Sequence, residues 1–382
     1  MTMIRCALRY NRGFAVCGLL LMATTALAQR PGEAPSTTRT VDTTFAATVA
    51  RLSEPAEFFD TDNLISNESS YLHVIPRLRA LGVRGGAYIG VGPDQNYSYI
   101  AAIRPAVAYL IDVRRDNLLQ HLMYKALFER SRNRMEFLCR WLGRPLPADV
   151  GAWTERSIEE MAAYLARTST DSSFAMNEQR ALIASAARTG IPLSRKDRDT
   201  IARMHATFVR EGLTLRFTSF GRPPRWYYPT LRQLMLERDA DGRMASYLVR
   251  EDDWRFVKSL HAAHRIVPLV GNLAGPTAFP SVAREIAAGG RVVSALYTSN
   301  VEFYLWGDGS FGRFAATVAA LPRDDRSLII RSYFGVQRGA PHPLAVNGYV
   351  SAQLLQSIDD FVKRSSAGAW SSYRDVVTMG AK

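Results

Sequence analysis

The sequence predicts an α/β fold, in which helices cover both faces of a sheet and a helical insertion separates the second strand from the third. Two observations carry this prediction. From Ala87 to Leu118 an apolar run, a glycine turn, a helical stretch and a second apolar run ending on an acid follow one another. From Glu251 onward, apolar runs typical of strands again alternate with amphipathic helical stretches. Such alternation is typical of a parallel sheet with helices on both faces.

The first 28 residues are predicted to be a secretory signal that is cleaved after Ala28. Three arginines precede an apolar stretch from Phe14 to Ala28, which ends on the small residues Ala-Leu-Ala. This stretch is shorter than the roughly 20 apolar residues of a membrane span. Residues 29–44 are rich in Pro, Ser and Thr and are predicted to be a flexible leader. We therefore expect a periplasmic or secreted domain that begins near Phe45.

The charge and the cysteines limit the classes of partner. The 382-residue chain is 47% hydrophobic, which excludes a disordered protein, and its net charge of +13 would fall to +10 on loss of residues 1–28. In an exported protein this excess indicates an anionic envelope surface or an acidic ligand before nucleic acid, although a solvated basic surface is its commonest cause. Only Cys139 remains after cleavage, so a buried free thiol is predicted.

The middle of the chain, residues 131–252, is predicted to be the helical insertion. Its apolar residues recur three or four positions apart, as in "SRKDRDTIARMHATFVREG", for which Ser194 is the predicted cap. A proline and aromatic loop, "RFTSFGRPPRWYYPTLRQL", interrupts the helices. The insertion divides the α/β domain into a first part, 45–130, and a second part, 253–382.

The glycine turn in the first part has the features of a nucleotide-binding unit. Gly90 and Gly92 follow the apolar run "AYI", Asp94 suits the start of a helix, and Asp112 closes the next run twenty residues after Gly92. In such units the glycines let the backbone approach the ligand, and the acid accepts hydrogen bonds from ribose hydroxyls. Gln95 stands where a dinucleotide fingerprint has its third glycine, which disfavours a nicotinamide or flavin cofactor.

A second glycine pattern, "GDGSFG" at Gly307–Gly312, matches the G-x-G-x-x-G spacing but lacks its context. The strand that follows it, "SLIIRSYF", ends without an acid. This stretch is therefore predicted to be a surface turn that leads into a helix.

From about Leu52 to its end, the chain resembles an uncharacterised bacterial family of exported proteins whose core is similar to class I S-adenosylmethionine-dependent methyltransferases. The strings that carry this resemblance are "FFDTDNLISNESSYLHV", "YIGVGPDQNYSYIAAIRP", "IDVRRDNLLQHLMYKALFE", "IVPLVGNLAGP" and "YTSNVEFYL". The resemblance implies a Rossmann-like, methyltransferase-type sheet with S-adenosylmethionine as the cofactor.

The resemblance also implies roles for individual residues. Gly90 and Gly92 would line the methionine and ribose region, Asp112 would bind the ribose hydroxyls, and Asn272 would lie near the adenine. Asp94 and Asn96, where the helix begins after the glycine turn, complete the cofactor-binding set. Asn300 and Glu302 follow the fourth strand and are the candidate catalytic residues, which would help to position the donor methyl group and its acceptor.

Two further clusters have alternative interpretations. A polar cluster just before the first core helix could cover the ligand or form a capping and turn network; it comprises Asn63, Asn67, Glu68 and Ser69. Trp226, Tyr227 and Tyr228, flanked by arginines, could form a lid or a sugar-stacking surface, or could anchor the insertion on the core.

Metal and hydrolase chemistry have little support. His261 and His264 lie three residues apart but have no evident third ligand, so no metal site is predicted. The chain contains no G-x-S-x-G motif. Two functions stay open: an S-adenosylmethionine-dependent methyltransferase, and an exported protein that keeps the sheet to bind a small ligand. The predicted signal favours the second, because S-adenosylmethionine is made and used in the cytoplasm.

Overall fold

The centre of the molecule is a sheet of six strands, within residues 43–335 and 339–381, which the computed structural model describes. The strands are β1 (Ala87–Gly90), β2 (Val107–Asp112), β3 (Ile266–Val270), β4 (Val293–Ser299), β5 (Leu328–Tyr333) and β6 (Ala352–Ser357). They lie in the order β3-β2-β1-β4-β5-β6. The first five are parallel, and β6 runs antiparallel to β5. This confirms the predicted α/β class.

The register brings the ends of neighbouring strands together. Gly90, the last residue of β1, pairs with Leu110 of β2, and Asp112, the last residue of β2, pairs with Val270 at the end of β3. The carboxyl ends of β1 to β4 therefore meet at one edge of the sheet. β1 lies between β2 and β4, so the strand order changes direction there, and ligands of open α/β sheets bind at such a point.

Helices cover both faces of the sheet, and β1 and β3 are wholly buried, as expected for parallel strands. The helices before the insertion are α1 (Thr43–Leu52), α2 (Ile75–Ala80), α3 (Asn96–Ile103) and α4 (Arg115–Arg130). The predicted signal, 1–28, and most of the predicted leader, 29–44, lie outside the described residues. The first described helix begins at Thr43, close to the predicted start of the folded domain at Phe45.

The segment between β2 and β3 is mainly helical. It contains α5 (Arg134–Leu142), α6 (Ile158–Arg167), α7 (Ser172–Ala187), α8 (Arg195–Glu211), α9 (Leu231–Met235) and α10 (Glu251–Ala262). The predicted cap of α8 is confirmed, because the Ser194 hydroxyl accepts the Asp197 amide at 3.1 Å. Helices α5, α7 and α8 pack on one another, and all three pack on α4. The insertion thereby extends the helix layer that follows β2.

The remaining helices are α11 (Ala278–Ala288), α12 (Val301–Gly307), α13 (Phe311–Ala319), α14 (Ile358–Ser366) and α15 (Tyr373–Thr378). The "GDGSFG" stretch forms the turn between α12 and α13, as predicted, with Gly309 at a φ of +77°. Among the described helices, none is both long and apolar enough to span a bilayer.

Candidate functional site

A cavity of about 470 Å³ lies over the carboxyl ends of β1 to β4. We call it the sheet-edge cavity. Its floor is formed by the turns that follow these strands, including Gly92, Asp112, Asn272 and Asn300. These four predicted residues are spread over more than 200 positions of the sequence, from Gly92 to Asn300, and the structure brings them to one space. The volume is typical of small-molecule sites.

One wall is an extended segment, residues 53–68, which we call the strap. It is bound to the sheet edge through its backbone, since Glu54 N–H donates to Val270 O at 2.8 Å and Glu57 N–H donates to Val113 O at 2.7 Å. The Glu54 carboxylate accepts the backbone amides of Asn272, Thr277 and Ala278 at 3.1, 2.6 and 2.7 Å. The strap therefore runs across the ends of β3 and β2 and caps α11.

Another part of the cavity wall is formed by residues 216–229 of the insertion, which we call the aromatic loop. Its backbone bonds to the strap, since Phe220 N–H donates to Asp60 O at 2.8 Å and Asp62 N–H donates to Thr218 O at 3.1 Å. The insertion thus supplies one boundary of a cavity whose floor belongs to the sheet.

The glycine turn is held from below by Asn96. The Asn96 amide donates to Val91 O at 2.8 Å and to Pro93 O at 2.7 Å, and its oxygen accepts the Tyr88 hydroxyl at 2.8 Å. A Cβ on Gly90 would lie 2.0 Å from the Asn96 oxygen, so this glycine is required by the packing beneath the turn. Gly92, with a φ of +81°, lines the cavity. Asn96 itself is buried under the turn and positions it, without lining the cavity.

Asp94 also points away from the cavity. Its carboxyl accepts the Tyr247 hydroxyl at 3.3 Å, and burial raises the pKa of Asp94 to about 7. Asp94 and Asn96 were both predicted to bind the cofactor, but their side chains belong to the support of the glycine turn.

Asp112 lines the cavity as one half of a buried ion pair. One of its oxygens accepts the Arg114 backbone amide at 2.9 Å and Arg114 Nε at 3.0 Å, and the other accepts Arg114 Nη2 at 2.8 Å. Arg114 Nη1 donates to the strap at Thr61 O and Asp62 O, at 3.0 and 3.1 Å. This arginine therefore joins the acid at the end of β2 to the strap.

The other predicted residues differ in their positions. The Asn272 side chain bonds to Glu57 at 3.2 Å and to the Ala274 amide at 2.9 Å, at the cavity's edge. Asn300 lines the cavity where β4 ends. Glu302 does not line it: its carboxylate is fully buried and pairs with Arg331 at 2.7 Å.

A buried polar network beside Asn300 is centred on Glu68. The Glu68 carboxylate accepts the Tyr297 hydroxyl at 2.7 Å, the Gln353 amide at 3.1 Å and the Ser299 hydroxyl. Burial raises the pKa of Glu68, while these hydrogen bonds oppose the shift. Ser299 has a φ of 52°, an unfavourable conformation for a residue with a side chain, and such strain often marks a functional site.

Sequence reasoning singled out Glu68 only as part of a polar cluster, and it missed Tyr297, Ser299 and Gln353. The position of Ser299 directly after a buried strand and before Asn300 was an available signal. Gln353 had none, because its strand was not predicted.

Acidic groups outnumber basic groups around the cavity. Among the described residues that line it, five carry carboxyls and three carry guanidiniums: Glu57, Asp60, Glu68, Asp112 and Asp308, against Arg114, Arg222 and Arg225. Two of the acids are paired with arginines, Asp112 with Arg114 and Asp60 with Arg222. The cavity therefore has an acidic excess within a basic protein.

The family of the chain is shown by its match, over residues 64–381, to the family model described as a domain of unknown function, DUF7790. The chain belongs to the DUF7790 family. A comparison with curated proteins gives no match. The DUF7790 region begins at Leu64, so it includes the end of the strap, the glycine turn, the aromatic loop and the ends of all six strands.

The DUF7790 region offers carboxylates, amides and hydroxyls to a ligand at the sheet edge. Within its described residues, no group of three His, Cys, Asp or Glu side chains is arranged to hold a metal ion. The polar groups that line the cavity, which are carboxyls, guanidiniums, amides and hydroxyls, can form hydrogen bonds.

Proposed function

We propose that this chain binds a nucleoside-type ligand that carries a positive charge, of which S-adenosylmethionine is the example, in the sheet-edge cavity. The observation that carries the proposal is the joint position of Gly92 and Asp112. They lie at the ends of adjacent parallel strands and line one cavity with an acidic excess. The glycine permits close approach of the backbone, and the carboxylate accepts hydrogen bonds from ribose hydroxyls.

The sheet supports a Rossmann-like assignment of the methyltransferase type. Its order β3-β2-β1-β4-β5 is that of Rossmann-like sheets, and the antiparallel strand β6 at the edge agrees with a methyltransferase-type variant that has one strand fewer. The cavity over the carboxyl ends of the early strands is where the resemblance leads us to expect the ligand.

Asp112 retains capacity for a ligand despite its ion pair. One carboxylate oxygen accepts two Arg114 donors, whereas the other accepts only Arg114 Nη2 among the described residues. A carboxylate oxygen has two lone-pair sites, so the second oxygen can accept one further donor. Arg114 holds this oxygen in place, and a ribose hydroxyl would complete its bonding.

The charges favour a cationic ligand over a phosphorylated one. S-adenosylmethionine carries a sulfonium, an ammonium and a carboxylate group, and its net positive charge is attracted at short range by the excess carboxyls. A dinucleotide or a nucleoside triphosphate would bring negative charge to the same space. Gln95, at the third position of the dinucleotide fingerprint, adds a side chain that donates to Tyr297 at 3.1 Å.

A second candidate function is methyl transfer, favoured by the presence of Asn300 in the same cavity as Asp112. The cofactor would supply the methyl group, and Asn300 with the aromatic loop would orient the acceptor. We place binding first because binding needs only a nucleoside-type cation, whereas methyl transfer needs S-adenosylmethionine itself, which is made in the cytoplasm and not in the compartment that the predicted signal at 1–28 implies. Cell fractionation tests this: full-length protein in the cytosol would remove the objection to catalysis.

Calorimetry of the purified protein with S-adenosylmethionine, S-adenosylhomocysteine, NAD and ATP tests the binding proposal. We expect S-adenosylmethionine to bind more tightly than S-adenosylhomocysteine, which lacks the sulfonium charge, and NAD and ATP not to bind. Asp112→Asn should weaken binding at least about tenfold, since it removes a charged acceptor.

Asp253→Asn is the matched control, because Asp253 also pairs with an arginine, Arg104, but does not line the cavity. It should leave binding unchanged. The absence of nucleoside binding at millimolar ligand would overturn the proposal, as would equal affinities of the wild type and Asp112→Asn, with folding of each variant checked by thermal unfolding.

A further inference from the structure

A second cavity, of about 550 Å³, lies on the other side of the aromatic loop. We call it the outer groove. Tyr227 and Tyr228 line both the outer groove and the sheet-edge cavity, so the loop is the wall between them. Tyr349 and its neighbours, from the chain before β6, form the far side of the groove.

The aromatic residues of the loop divide into an anchor and an exposed ring. Tyr228 is buried and packs edge-on against Phe217, with ring centroids 5.0 Å apart. Trp226 is 88% exposed and contacts Tyr227 edge-on at 5.6 Å. The anchoring interpretation of the sequence therefore applies to Tyr228. Trp226 therefore presents an apolar ring to the space of the outer groove.

The groove around this ring is basic. Arg216, Arg232 and Arg238 line it, and Glu237 is the one carboxylate among its described lining residues. Glu237 accepts the Tyr349 hydroxyl at 2.8 Å and the Arg238 amide at 2.8 Å, and burial raises its pKa. The guanidiniums thus outnumber the carboxylate, in contrast to the acidic excess on the other side of the wall.

We propose that the outer groove binds a carboxylate-bearing sugar of an acidic polysaccharide. The apolar face of a sugar ring stacks on Trp226, and a planar guanidinium such as that of Arg232 binds the sugar carboxylate through two parallel hydrogen bonds. Gln233, whose side-chain oxygen caps α9, has an amide group that can bond to a sugar hydroxyl. The proposal does not depend on the ligand of the sheet-edge cavity.

The arrangement favours a sugar over a nucleic acid. Protein grooves that bind nucleic acid place positively charged side chains along several successive phosphates of the ligand. Here the three arginines line one groove of about 550 Å³, which also contains Glu237 and the exposed ring of Trp226. A groove of this size suits one or two sugar units. Nucleic acid is therefore an outcome that the test must distinguish.

Calorimetry of the full chain with tetragalacturonate tests the proposal. We expect binding that weakens with salt, and no binding of methyl-esterified tetragalacturonate, which keeps the rings and lacks the charges. Trp226→Ala and Arg232→Ala should each weaken binding at least about tenfold. Both side chains are on the surface, so neither change is expected to unfold the protein.

Two controls make the result specific. Arg195→Ala removes a 96%-exposed arginine on α8 and should leave binding unchanged. Asp253→Asn changes a carboxyl that lines neither cavity and should also leave binding unchanged. The proposal is overturned if tetragalacturonate does not bind at millimolar concentration, if the esterified sugar binds equally well, if neither groove variant weakens binding, or if single-stranded DNA binds more tightly.

Discussion

Asp94 shows how one buried carboxyl makes stability depend on pH. Its pKa rises from an ordinary 3.8 to about 7 because burial disfavours the charged form. A carboxyl whose pKa is higher in the folded state makes its full contribution to folding stability below its unfolded pKa. This contribution is lost as pH rises toward the folded-state pKa. Asp94 therefore weakens the fold progressively between about pH 4 and pH 7.

We predict that Asp94→Asn is as stable as the wild type near pH 4 and more stable at pH 8, by on the order of 4 kcal/mol. The amide oxygen can still accept the Tyr247 hydroxyl, and the variant no longer has to bury a charge. Urea unfolding at several pH values measures the difference. A variant less stable than the wild type at pH 8 would contradict the prediction.

Asp197 is the control of opposite sign. Burial opposes its ionisation, but hydrogen bonds from Arg115 and Ser194 outweigh burial and lower the pKa of Asp197 to about 2. Its stabilisation is present above its unfolded pKa and is lost as pH falls toward 2. Asp197→Asn should therefore be less stable than the wild type at pH 8.

At the residue scale, the sequence predicted which residues lie at the sheet edge where chemistry and position coincide. Gly92 and Asp112 follow buried strands, so the topology brings both to the sheet edge. Three neighbouring positions have suitable side chains that point into the protein instead. Asn96 bonds to the glycine turn, Asp94 to Tyr247 and Glu302 to Arg331. Spacing along the chain predicts which residues lie near the edge. It does not predict the direction of each side chain, which depends on long-range partners.

At the element scale, the strap depends on Glu54. Its carboxylate accepts the Thr277 and Ala278 amides at the start of α11, and so takes the place of a helix cap, and it also accepts the Asn272 amide in the turn after β3. Gly275 allows this approach, because a Cβ there would lie 2.3 Å from the Glu54 carboxylate. The three donors compensate the burial of this carboxylate.

We predict that Glu54→Gln destabilises the protein by about 1–2 kcal/mol, because the neutral amide has one oxygen where three amides need two. Glu57→Gln is the matched control. Glu57 accepts a single side-chain bond, from Asn272 at 3.2 Å, and glutamine keeps an oxygen for it. Thermal unfolding should separate the two variants; equal melting temperatures would contradict the role of Glu54.

The sequence predicted the aromatic loop as an element but did not predict which part of the structure the loop contacts. Its prolines and aromatic residues indicated a loop within a helical insertion, and several roles for it stayed open. Only the structure shows that the loop bonds to the strap, because Asp60 and Phe220 are 160 residues apart.

At the scale of the whole molecule, a buried ion pair joins the sheet to the end of the chain. Arg331 of β5 bonds to Glu302 at the start of α12, to Gln356 of β6 at 2.6 Å and to Val376 O of α15 at 3.3 Å. Both charged side chains are inaccessible to solvent. One arginine therefore connects four elements from the last third of the chain.

We predict that Arg331→Met destabilises the protein by about 3–5 kcal/mol, because it leaves the Glu302 charge buried without its partner. The double variant Glu302→Met with Arg331→Met should recover most of this loss, since an apolar pair needs no compensation. Chemical denaturation measures both. A double variant as unstable as the single one would show that the other bonds of Arg331, and not the buried charge, dominate.

The sequence predicted most of the fold because the parallel strands are continuous apolar runs between helices. It did not predict β6, whose sequence "AQLLQS" contains two glutamines. Both are buried, and they bond to Glu68 and Arg331, which lie elsewhere in the chain. A strand whose polar side chains are compensated by distant partners has no local signal.

The wall shared by the two cavities has a thermodynamic consequence. Tyr227 and Tyr228 line both spaces, so a ring that moves when one space is filled changes the shape of the other. Any such effect is reciprocal: if the inner ligand changes the affinity for the outer one by some factor, the outer ligand changes the affinity for the inner one by the same factor. Two unlike ligands, one cationic and one anionic, would then report on each other across a single layer of side chains.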